Sequence, residues 1–490
     1  MQRDTRDLPA TAHTTRMIGL FLGLILFAAS LIVSPPADWS VEAWRVLGCI
    51  ALMVCWWISE AIPVYATGLA PLVALPLMSV ATPAEAAAPY GDPLIFLFLG
   101  GFMIAQSIQK FGLHRRIALR LLSLTGTGLR HLVGGFMLAC AFLSMWISNT
   151  ATAVMMLPIA LSVVSLIEES GLEVEVERRF ERALLLSIAY ACSLGGIATL
   201  IGTPPNAILA AYLAREHDMV ITFASWIQFA LPLSIVLLFI TWFVLTRLFR
   251  LPDQPLNSAS SLITEGLKRL GPIDRGERMA LGCFILAAVL WIGRGMLEVW
   301  LPWLKLSDAG IAIGVSLLLF ALPVDSERGI FALNWSDARQ VPWGVLLLFG
   351  GGLSLARAID ETGLAGHIGS ALVAMDAWPY WLVVSIAVAM IVFLTEVMSN
   401  TATTAAFVPI AAALAIALGH DPLSLAVPVA LAASCAFMLP SATPPNAVVF
   451  GSGRLTINQM ARAGFLFNLI AITILAMVAA TPLINLLQNN

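Results

Sequence analysis

The chain has 490 residues, of which 59% are hydrophobic and 11% are charged, and its formal net charge is −3. Soluble globular domains carry roughly 25% charged residues, so this composition excludes an ordinary soluble protein. Apolar runs of about 20 residues recur along the whole chain, which indicates a membrane protein that crosses the bilayer many times. The small net charge says little about partners, and no pattern indicates nucleic-acid binding.

Taken in chain order, the apolar runs predict eleven membrane spans and two segments that enter the membrane and return on the same side. The first run has no small-residue cleavage site after it, so we interpret it as a retained span rather than a signal peptide. The predicted spans lie near residues 17–34, 41–58, 62–80, 93–109, 183–213, 221–246, 279–300, 308–324, 342–358, 424–451 and 463–486. The returning segments are two re-entrant hairpins, at 131–167 and 380–418.

The chain contains an internal repeat. A shift of 251 residues superimposes "ISNTATAVMMLPIA" (147–160) on "MSNTATTAAFVPIA" (398–411), with eight identities in fourteen positions. The same shift superimposes the glycine pair 100–101 on the glycine pair 351–352.

A third match follows in the same order. A shift of 240 residues superimposes "TPPNAI", which begins at Thr203, on "TPPNAV", which begins at Thr443. The shift is smaller because the first copy carries a longer polar insert, at 168–182. Three ordered matches at nearly one spacing indicate an internal duplication.

Charged residues indicate that the two copies are inverted in the membrane. The charged residues that follow the first glycine pair are all basic, namely Lys110, Arg115, Arg116, Arg120 and Arg130. At the equivalent place in the second copy acidic residues dominate, namely Asp360, Glu361 and Asp376. Positive charge stays in the cytoplasm, so the equivalent loops face opposite sides. The resulting topology places the N-terminus and the loop 247–278 in the cytoplasm and the C-terminus outside.

The Ser-Asn-Thr stretches lie in the middle of the two predicted hairpins. Half a bilayer is about 15 Å thick, a distance that about ten helical residues cover. Two half-length helices that meet at Ser-Asn-Thr therefore place the tip of each hairpin near the midplane. Ser, Asn and Thr are preferred N-caps, so we expect the second half-helix to begin there and to direct free N–H groups at the centre.

The Thr-Pro-Pro-Asn stretches interrupt the spans 183–213 and 424–451. Two prolines remove backbone donors and stop a helix within the membrane, so we expect two discontinuous helices. Irregular backbone at that depth is tolerated only where it lines a cavity or is buried in protein. The alternative is structural, with Ser, Thr and Asn connecting helices and the prolines kinking them. That interpretation explains one such element but explains two inverted pairs poorly.

Four broken elements that converge near the midplane are typical of a secondary transporter. Half-helix N-termini favour an anion, and unwound carbonyls with hydroxyl and amide oxygens can hold sodium. Ser144 and Thr395 each lie four residues before Ser-Asn-Thr, on the same helix face, and are candidate cation ligands; the alternative is that each is a hydroxyl satisfied by the backbone. Glu396 is the only carboxylate in either hairpin, and its counterpart is Met145. Both ion coupling and structural pairing are open interpretations of Glu396.

The duplicated motifs resemble the divalent anion/sodium symporter family of di- and tricarboxylate transporters. The residues that carry the resemblance are "SMWISNTATAVMMLPIA", "IGTPPNA", "LTEVMSNTATT" and "SATPPNA", and it spans essentially the whole chain. Some exchangers of that family carry a basic residue just after Ser-Asn-Thr. This chain has Ala-Thr at both places, 151–152 and 402–403, and so resembles the sodium-coupled branch.

The resemblance implies which residues bind substrate and sodium. The substrate carboxylates would be bound by both Ser-Asn-Thr motifs and by the threonines of both Pro-Pro stretches: Ser148, Asn149, Thr150, Thr203, Ser399, Asn400, Thr401 and Thr443. One sodium site would be formed by Ser144, Ser148, Asn149 and the carbonyl of Gly202, and its twin by Thr395, Asn400 and the carbonyls of Met398 and Ala442. Sodium is thus the expected co-transported ion, and no organic cofactor is expected.

The resemblance also implies a homodimer in the lipid bilayer, in which each subunit has a scaffold domain and a transport domain that moves as an elevator. The scaffold would comprise residues 1–125 and 275–375, and the transport domain residues 126–274 and 376–490. Each domain would then take one part from each repeat.

The expected function is sodium-coupled symport of a C4-dicarboxylate such as succinate, malate or fumarate. The alternatives are a sodium-independent di- or tricarboxylate exchanger, a symporter of sulfate or another divalent anion, and a proton-coupled permease. An intramembrane enzyme is not expected, because Ser148 and Ser399 have no His, Lys or Asp partner in the membrane to activate them. The duplicated broken helices argue against a receptor or scaffold protein, and the modest loops favour a bacterial inner membrane.

Overall fold

The computed structural model describes residues 10–36, 39–168, 173–252, 257–301, 303, 305–364, 366–367 and 378–487. Within these residues the protein is all-α, apart from one antiparallel pair of short strands, Pro323–Asp325 and Ile330–Phe331. Parts of the predicted topology lie outside the described residues: both chain termini, the acidic residue Asp376 and the domain boundary at 375–376.

Several of the helices begin at a capping box, in which the N-cap side chain and the side chain three residues later each accept the other's backbone N–H, as at Thr222 and Thr456.

The helices of the first half are α1 Ala10–Ile32, α2 Val41–Ser59, α3 Val64–Thr67, α4 Ala70–Leu77, α5 Pro83–Ala87, α6 Pro93–Lys110, α7 Leu113–Ser123, α8 Leu129–Ser144, α9 Asn149–Glu168, α10 Val174–Ile197, α11 Pro204–Glu216 and α12 Phe223–Leu248. Those of the second half are α13 Asn257–Leu270, α14 Arg275–Trp300, α15 Asp308–Ala321, α16 Trp335–Ala338, α17 Trp343–Glu361, α18 Tyr380–Leu394, α19 Asn400–Ala417, α20 Leu423–Ala432, α21 Pro444–Phe450 and α22 Ile457–Ala479.

Ten helices of the described residues are long and apolar enough to cross a membrane. Eight of them coincide with predicted spans, and two are the second arms of the predicted hairpins, α9 and α19. The remaining predicted spans consist of shorter helices: α3 with α4, α15, and α20 with α21. The prediction of an all-α polytopic membrane protein with two hairpins and two discontinuous helices is confirmed.

Each copy of the repeat crosses the membrane five times. The first copy uses α2, α3 with α4, α6, α10 with α11, and α12, and the second uses α14, α15, α17, α20 with α21, and α22. An odd number of crossings reverses the second copy relative to the first, as inverted repeats require. The contacts are also reciprocal, because α9 packs on α21 and α19 packs on α11. Each hairpin therefore packs against the broken helix of the other copy.

The two arms of each hairpin are longer than expected. Arms α8 and α9 have 16 and 20 residues, and arms α18 and α19 have 15 and 18. At about 1.5 Å per residue, α9 is about 30 Å long, so the expectation of half-length helices is wrong. The last residue of α9, Glu168, forms an ion pair with Arg454 (2.7 Å), which shows that this arm continues to a polar surface.

The first glycine of each repeated pair lies where two helices approach closely. A Cβ on Gly100 would lie 2.5 Å from the backbone of Ala312, and a Cβ on Gly351 would lie 2.1 Å from the carbonyl oxygen of Gly68. No larger residue fits at either position without a backbone shift. Consequently α6 packs tightly on α15 of the second copy, and α17 packs on the α3–α4 segment of the first.

The second glycine of each pair faces an element that carries a motif. A Cβ on Gly101 would lie 3.3 Å from the side chain of Ile201, in the unwound part of the first broken helix. A Cβ on Gly352 would lie 2.7 Å from the Cβ of Ala405, on the second hairpin. The glycine pairs therefore set how closely α6 and α17 approach the motif-bearing elements.

The two long connections near the first hairpin meet at one buried ion pair. Arg116 on α7, which leads into the hairpin, contacts Glu277 at the start of α14 (2.8 Å). The same guanidinium donates to the carbonyl oxygen of Gly271, just after α13 (2.9 Å). The segment that enters the hairpin and the segment that leaves α12 are thus joined to each other.

Contacts between other loops agree with the predicted sides of the membrane. Lys110 forms an ion pair with Asp337 (2.8 Å), and the charge pattern places both residues inside. The backbone N–H of Phe223 donates to Asp308 (2.8 Å), and both residues lie in segments predicted outside. These contacts support the order of the spans, and the assignment of one side as the cytoplasm stays a prediction.

Replacing Gly351 by Ala should lower the thermal stability of the purified protein, because the new Cβ forces α17 away from Gly68. Overpacking of this kind typically costs about 1–3 kcal/mol. The melting temperature in detergent measures the loss. Gly314→Ala on α15 is the matched control, since a Cβ there meets no atom within 4 Å. Equal melting temperatures for the two variants would contradict the close packing.

Candidate functional site

Both Ser-Asn-Thr motifs lie at the turn between the arms of a hairpin. Ser148 caps α9, because its hydroxyl oxygen accepts the backbone N–H of Ala151 (3.3 Å). Ser399 occupies the N-cap position of α19, but its side chain accepts no capping hydrogen bond. The expectation that the second helix of each hairpin begins at Ser-Asn-Thr is therefore confirmed, and the two tips differ in that Ser148 makes a side-chain capping bond and Ser399 does not.

In the first hairpin, a hydroxyl and an amide oxygen meet beside an unwound stretch of helix. The hydroxyl of Ser144, which is fully buried, donates to Oδ1 of Asn149 (2.5 Å). A Cβ on Gly196 would lie 2.8 Å from that Oδ1 and 3.1 Å from the carbonyl oxygen of Gly202. The structure thus brings three of the predicted ligands of the first sodium site to one small space, and the fourth, Ser148, is adjacent in the motif.

The second hairpin repeats the arrangement with different residues. Oγ1 of Thr395, also fully buried, lies 2.8 Å from Oδ1 of Asn400 and 2.9 Å from the carbonyl oxygen of Ala433. Met398 and Ala442, predicted to contribute carbonyl oxygens, are both buried. Their role as ligands stays a prediction.

Twin asparagines hold the unwound segments of the two broken helices. The side-chain amide of Asn206 donates to three carbonyl oxygens at the end of α10, those of Gly196, Ile197 and Thr199, over 2.7–3.2 Å. Asn446 donates in the same way to two carbonyl oxygens at equivalent positions, over 3.0–3.3 Å. Both side chains are fully buried. They satisfy carbonyls at the ends of α10 and α20, where the helical hydrogen-bond ladder stops inside the protein.

The Pro-Pro pairs begin the second half of each broken helix rather than end the first. α10 ends at Ile197, and the prolines occupy the first two positions of α11. The same holds for α20 and α21. Proline suits the start of a helix because its missing donor is one of the N–H groups left free there. The expectation that the prolines stop the preceding half-helix is therefore wrong.

The remaining predicted substrate residues cluster at the hairpin tips and at the starts of α11 and α21. Thr203 and Thr443 are the N-cap residues of those helices, and both are buried. Thr150 is exposed, whereas its counterpart Thr401 is buried, so the two tips differ in accessibility. No Lys or Arg occurs in either hairpin between 132 and 167 or between 380 and 418. Within the hairpins, positive charge is therefore provided by the helix N-termini rather than by basic side chains.

Glu396 makes structural contacts. It is buried and accepts hydrogen bonds from three backbone N–H groups of the second unwound segment, 437–439, and from the side chain of Asn468. Of the two interpretations that the sequence leaves open, these contacts support structural pairing.

Sequence reasoning missed several residues that shape this region. Asn206 and Asn446 occur in both copies of Thr-Pro-Pro-Asn, so the repeat itself was a signal for them. Gly196 and the carbonyl of Ala433 had no such signal, because their positions depend on how the unwound segment folds against the hairpin tip.

The family described as "Sodium:sulfate symporter transmembrane region" matches residues 14–487. The chain belongs to this family, the divalent anion/sodium symporters. The predicted resemblance is therefore confirmed.

Relatives and a solved structure agree with this placement. The chain is 41% identical over 469 residues to the sodium-dependent dicarboxylate transporter SdcS of Staphylococcus saprophyticus, covering 94% of this chain and 90% of the relative. It is 42% identical over 469 residues to the protein of the same name from Staphylococcus aureus, with the same coverage. Its fold is similar to that of the Alcanivorax borkumensis YdaH transporter, with a TM-score of 0.55, 14% identity, and coverage of 95% of this chain and 97% of the other.

Asn206→Asp should destabilise the protein more than Asn206→Ala does. Ala only removes the donor, whereas Asp turns an acceptor toward carbonyl oxygens. Leaving a buried polar group unsatisfied costs about 1–3 kcal/mol, and more for a charged group. Melting temperature and the yield of monodisperse protein measure both changes. Asn334→Asp is the matched control, because Asn334 is an exposed N-cap that Asp replaces well. Equal losses at positions 206 and 334 would contradict the donor role.

Proposed function

We propose that the protein is a sodium-coupled symporter of C4-dicarboxylates such as succinate, malate and fumarate. The observation that carries the proposal is the twinned pair of oxygens, Ser144 with Asn149 and Thr395 with Asn400, each beside unwound helix. The names of the two relatives support sodium as the coupling ion and a dicarboxylate as the substrate class. Membership of a symporter family supports transport rather than catalysis.

Each twin site would hold one sodium ion through side-chain and carbonyl oxygens, the ligands that hard cations prefer. The first would use the oxygens of Ser144, Ser148, Asn149 and Gly202. The second would use those of Thr395, Asn400, Met398 and Ala442. With sodium bound, the hydroxyl and amide oxygens of each pair would turn toward the ion instead of toward each other.

The substrate would lie between the two hairpin tips. Its carboxylates would be bound by Ser148, Asn149, Thr150, Ser399, Asn400, Thr401, Thr203 and Thr443. Free N–H groups at the starts of α9 and α19 favour an anion there. Because residues 132–167 and 380–418 of the hairpins contain no Lys or Arg, bound sodium would supply the opposing charge, which explains why substrate and ion would move together.

Charge balance also favours coupling. Carrying a dianion inward against a membrane potential of 100 mV, inside negative, costs about 4.6 kcal/mol. Two sodium ions would make the cycle electroneutral, and a third would let the membrane potential drive uptake.

The proposal includes an elevator movement within a homodimer in a bacterial inner membrane, with the N-terminus in the cytoplasm. Residues 1–125 and 275–375 would form the scaffold, and residues 126–274 and 376–490 the transport domain. The close glycine contacts between α6 and α15, and between α17 and Gly68, support a rigid scaffold. The reciprocal packing of hairpins on broken helices supports one moving body. The family's description keeps sulfate as a second candidate substrate.

Proteoliposomes that contain the wild-type protein should accumulate radiolabelled succinate under an inward sodium gradient, but not under a matched choline gradient, with no substrate inside. Uptake that does not depend on sodium and requires dicarboxylate inside would show an exchanger. That result would contradict the proposed sodium sites. Stronger competition by sulfate than by malate would favour the second candidate.

In the same assay, Asn149→Ala and Asn400→Ala should each abolish sodium-driven uptake while expression remains intact, because each removes an amide oxygen that sodium and substrate share. Asn458→Ala, at an exposed position on α22, is the control. Normal uptake by both site variants would mean that the polar stretches are structural.

Gly196→Ala should raise the sodium concentration for half-maximal uptake by roughly tenfold, equivalent to about 1.4 kcal/mol. The added Cβ would lie 2.8 Å from Oδ1 of Asn149 and would intrude on the first sodium site. The twin position already carries a Cβ, at Ala436, so Ala436→Gly should have a smaller effect. Unchanged sodium dependence in Gly196→Ala would place the first site elsewhere.

A further inference from the structure

Glu396 is buried, with 4% of its surface exposed, and its carboxylate faces donors. Oε1 accepts the backbone N–H groups of Phe437 (2.8 Å) and Met438 (2.9 Å), and Oε2 accepts that of Leu439 (3.0 Å). The side-chain amide of Asn468, on α22, donates to Oε1 (2.9 Å). An ionised carboxylate only accepts hydrogen bonds, and all four groups that contact Glu396 are N–H donors.

The three backbone groups belong to the unwound segment 433–443, between α20 and α21. Backbone N–H groups that lose their helical partners within the membrane need another acceptor in the protein. Glu396 provides it for three consecutive residues. Its neighbour Thr395 contacts the start of the same segment, at the carbonyl oxygen of Ala433 (2.9 Å). Two adjacent side chains of the hairpin therefore hold the unwound segment at two points.

The first repeat makes the corresponding connection without a charge. Met145 is the counterpart of Glu396 under the shift of 251, and Thr199 is the counterpart of Leu439 under the shift of 240. The hydroxyl of Thr199 donates to the backbone carbonyl oxygen of Met145 (2.5 Å). In both repeats, then, the same hairpin position is joined to the same position of the unwound segment.

We propose that Glu396 is a positioning residue for the second sodium site, and that it holds the unwound segment against the hairpin rather than carrying a coupling ion. This inference rests on the proposed function. The connection is common to both repeats, whereas the negative charge occurs in one of them. The carboxylate therefore affects sodium binding indirectly, by fixing the positions of Thr395, Asn400 and the carbonyl oxygens beside them.

The test replaces the arrangement of the second repeat by that of the first. Glu396→Met removes the acceptor, and Leu439→Thr adds a hydroxyl at the position that Thr199 occupies in the first repeat. The wild type, Glu396→Met and the double variant are compared by the melting temperature in sodium against choline. The same proteins are compared by the sodium dependence of succinate uptake. Glu327→Met, in the exposed turn between the two strands, is the control.

We expect Glu396→Met to raise the half-saturating sodium concentration at least about tenfold, while the KM for succinate at saturating sodium changes less than about threefold. The double variant regains the hairpin connection of the first repeat but not the acceptor for the three N–H groups, so it should recover part of the sodium dependence that Glu396→Met loses. A double variant as impaired as Glu396→Met would overturn the proposal, because the carboxylate itself would then be required. Unchanged sodium dependence in Glu396→Met would overturn it too.

If Glu396→Met yields no folded protein, Glu396→Gln replaces it in the same experiment, alone and combined with Leu439→Thr. The amide oxygen of Gln retains part of the acceptor capacity. The melting temperature without sodium separates a failure of the proposed function from a failure of the positioning role of Glu396. A wild type that neither gains stability from sodium nor takes up succinate contradicts the proposed function. Recovery of the sodium-free melting temperature in the double variant still supports the positioning role, and no recovery overturns it.

Discussion

Backbone polar groups in the membrane interior must be paired within the protein, and the rest of this structure depends on how two unwound segments meet that requirement. Asn206 and Asn446 donate to the carbonyls freed at the ends of α10 and α20. Pro-Pro pairs remove donors where α11 and α21 begin. Glu396 accepts three N–H groups that remain in the second segment. With these groups satisfied, the oxygens beside the hairpin tips are left available for a ligand.

The two repeats reach similar geometry by different chemistry. A hydroxyl meets an amide oxygen at both tips, but the first pair uses Ser144 and the second uses Thr395. Gly196 leaves space beside the first pair, whereas the twin position carries a side chain. A neutral hydroxyl connects hairpin to segment in the first repeat, and a carboxylate does so in the second. Inverted repeats require equivalent positions in space, and each copy can satisfy them with its own side chains.

Close packing surrounds this region. The first glycine of each repeated pair brings α6 and α17 against a helix of the other copy, and the second faces a motif-bearing element. The hairpin arms extend beyond half a bilayer, and Glu168 at the end of α9 is tied to Arg454. In the proposed elevator, the contacts of the first glycines would keep the scaffold rigid. The packing of hairpins on broken helices would hold the moving body together.

The sequence by itself determined the class, the repeat, its inversion and the positions of the hairpins and broken helices, because hydropathy, charge and duplicated motifs are local properties of the chain. It also singled out Ser144, Asn149, Thr395 and Asn400 as candidates, and the structure brings them together in two pairs. Only the tertiary structure decided the length of the hairpin arms, the place of the prolines at helix starts, and the role of Glu396. These depend on which backbone groups lose their partners and which distant side chains, such as Asn206 and Asn468, reach them.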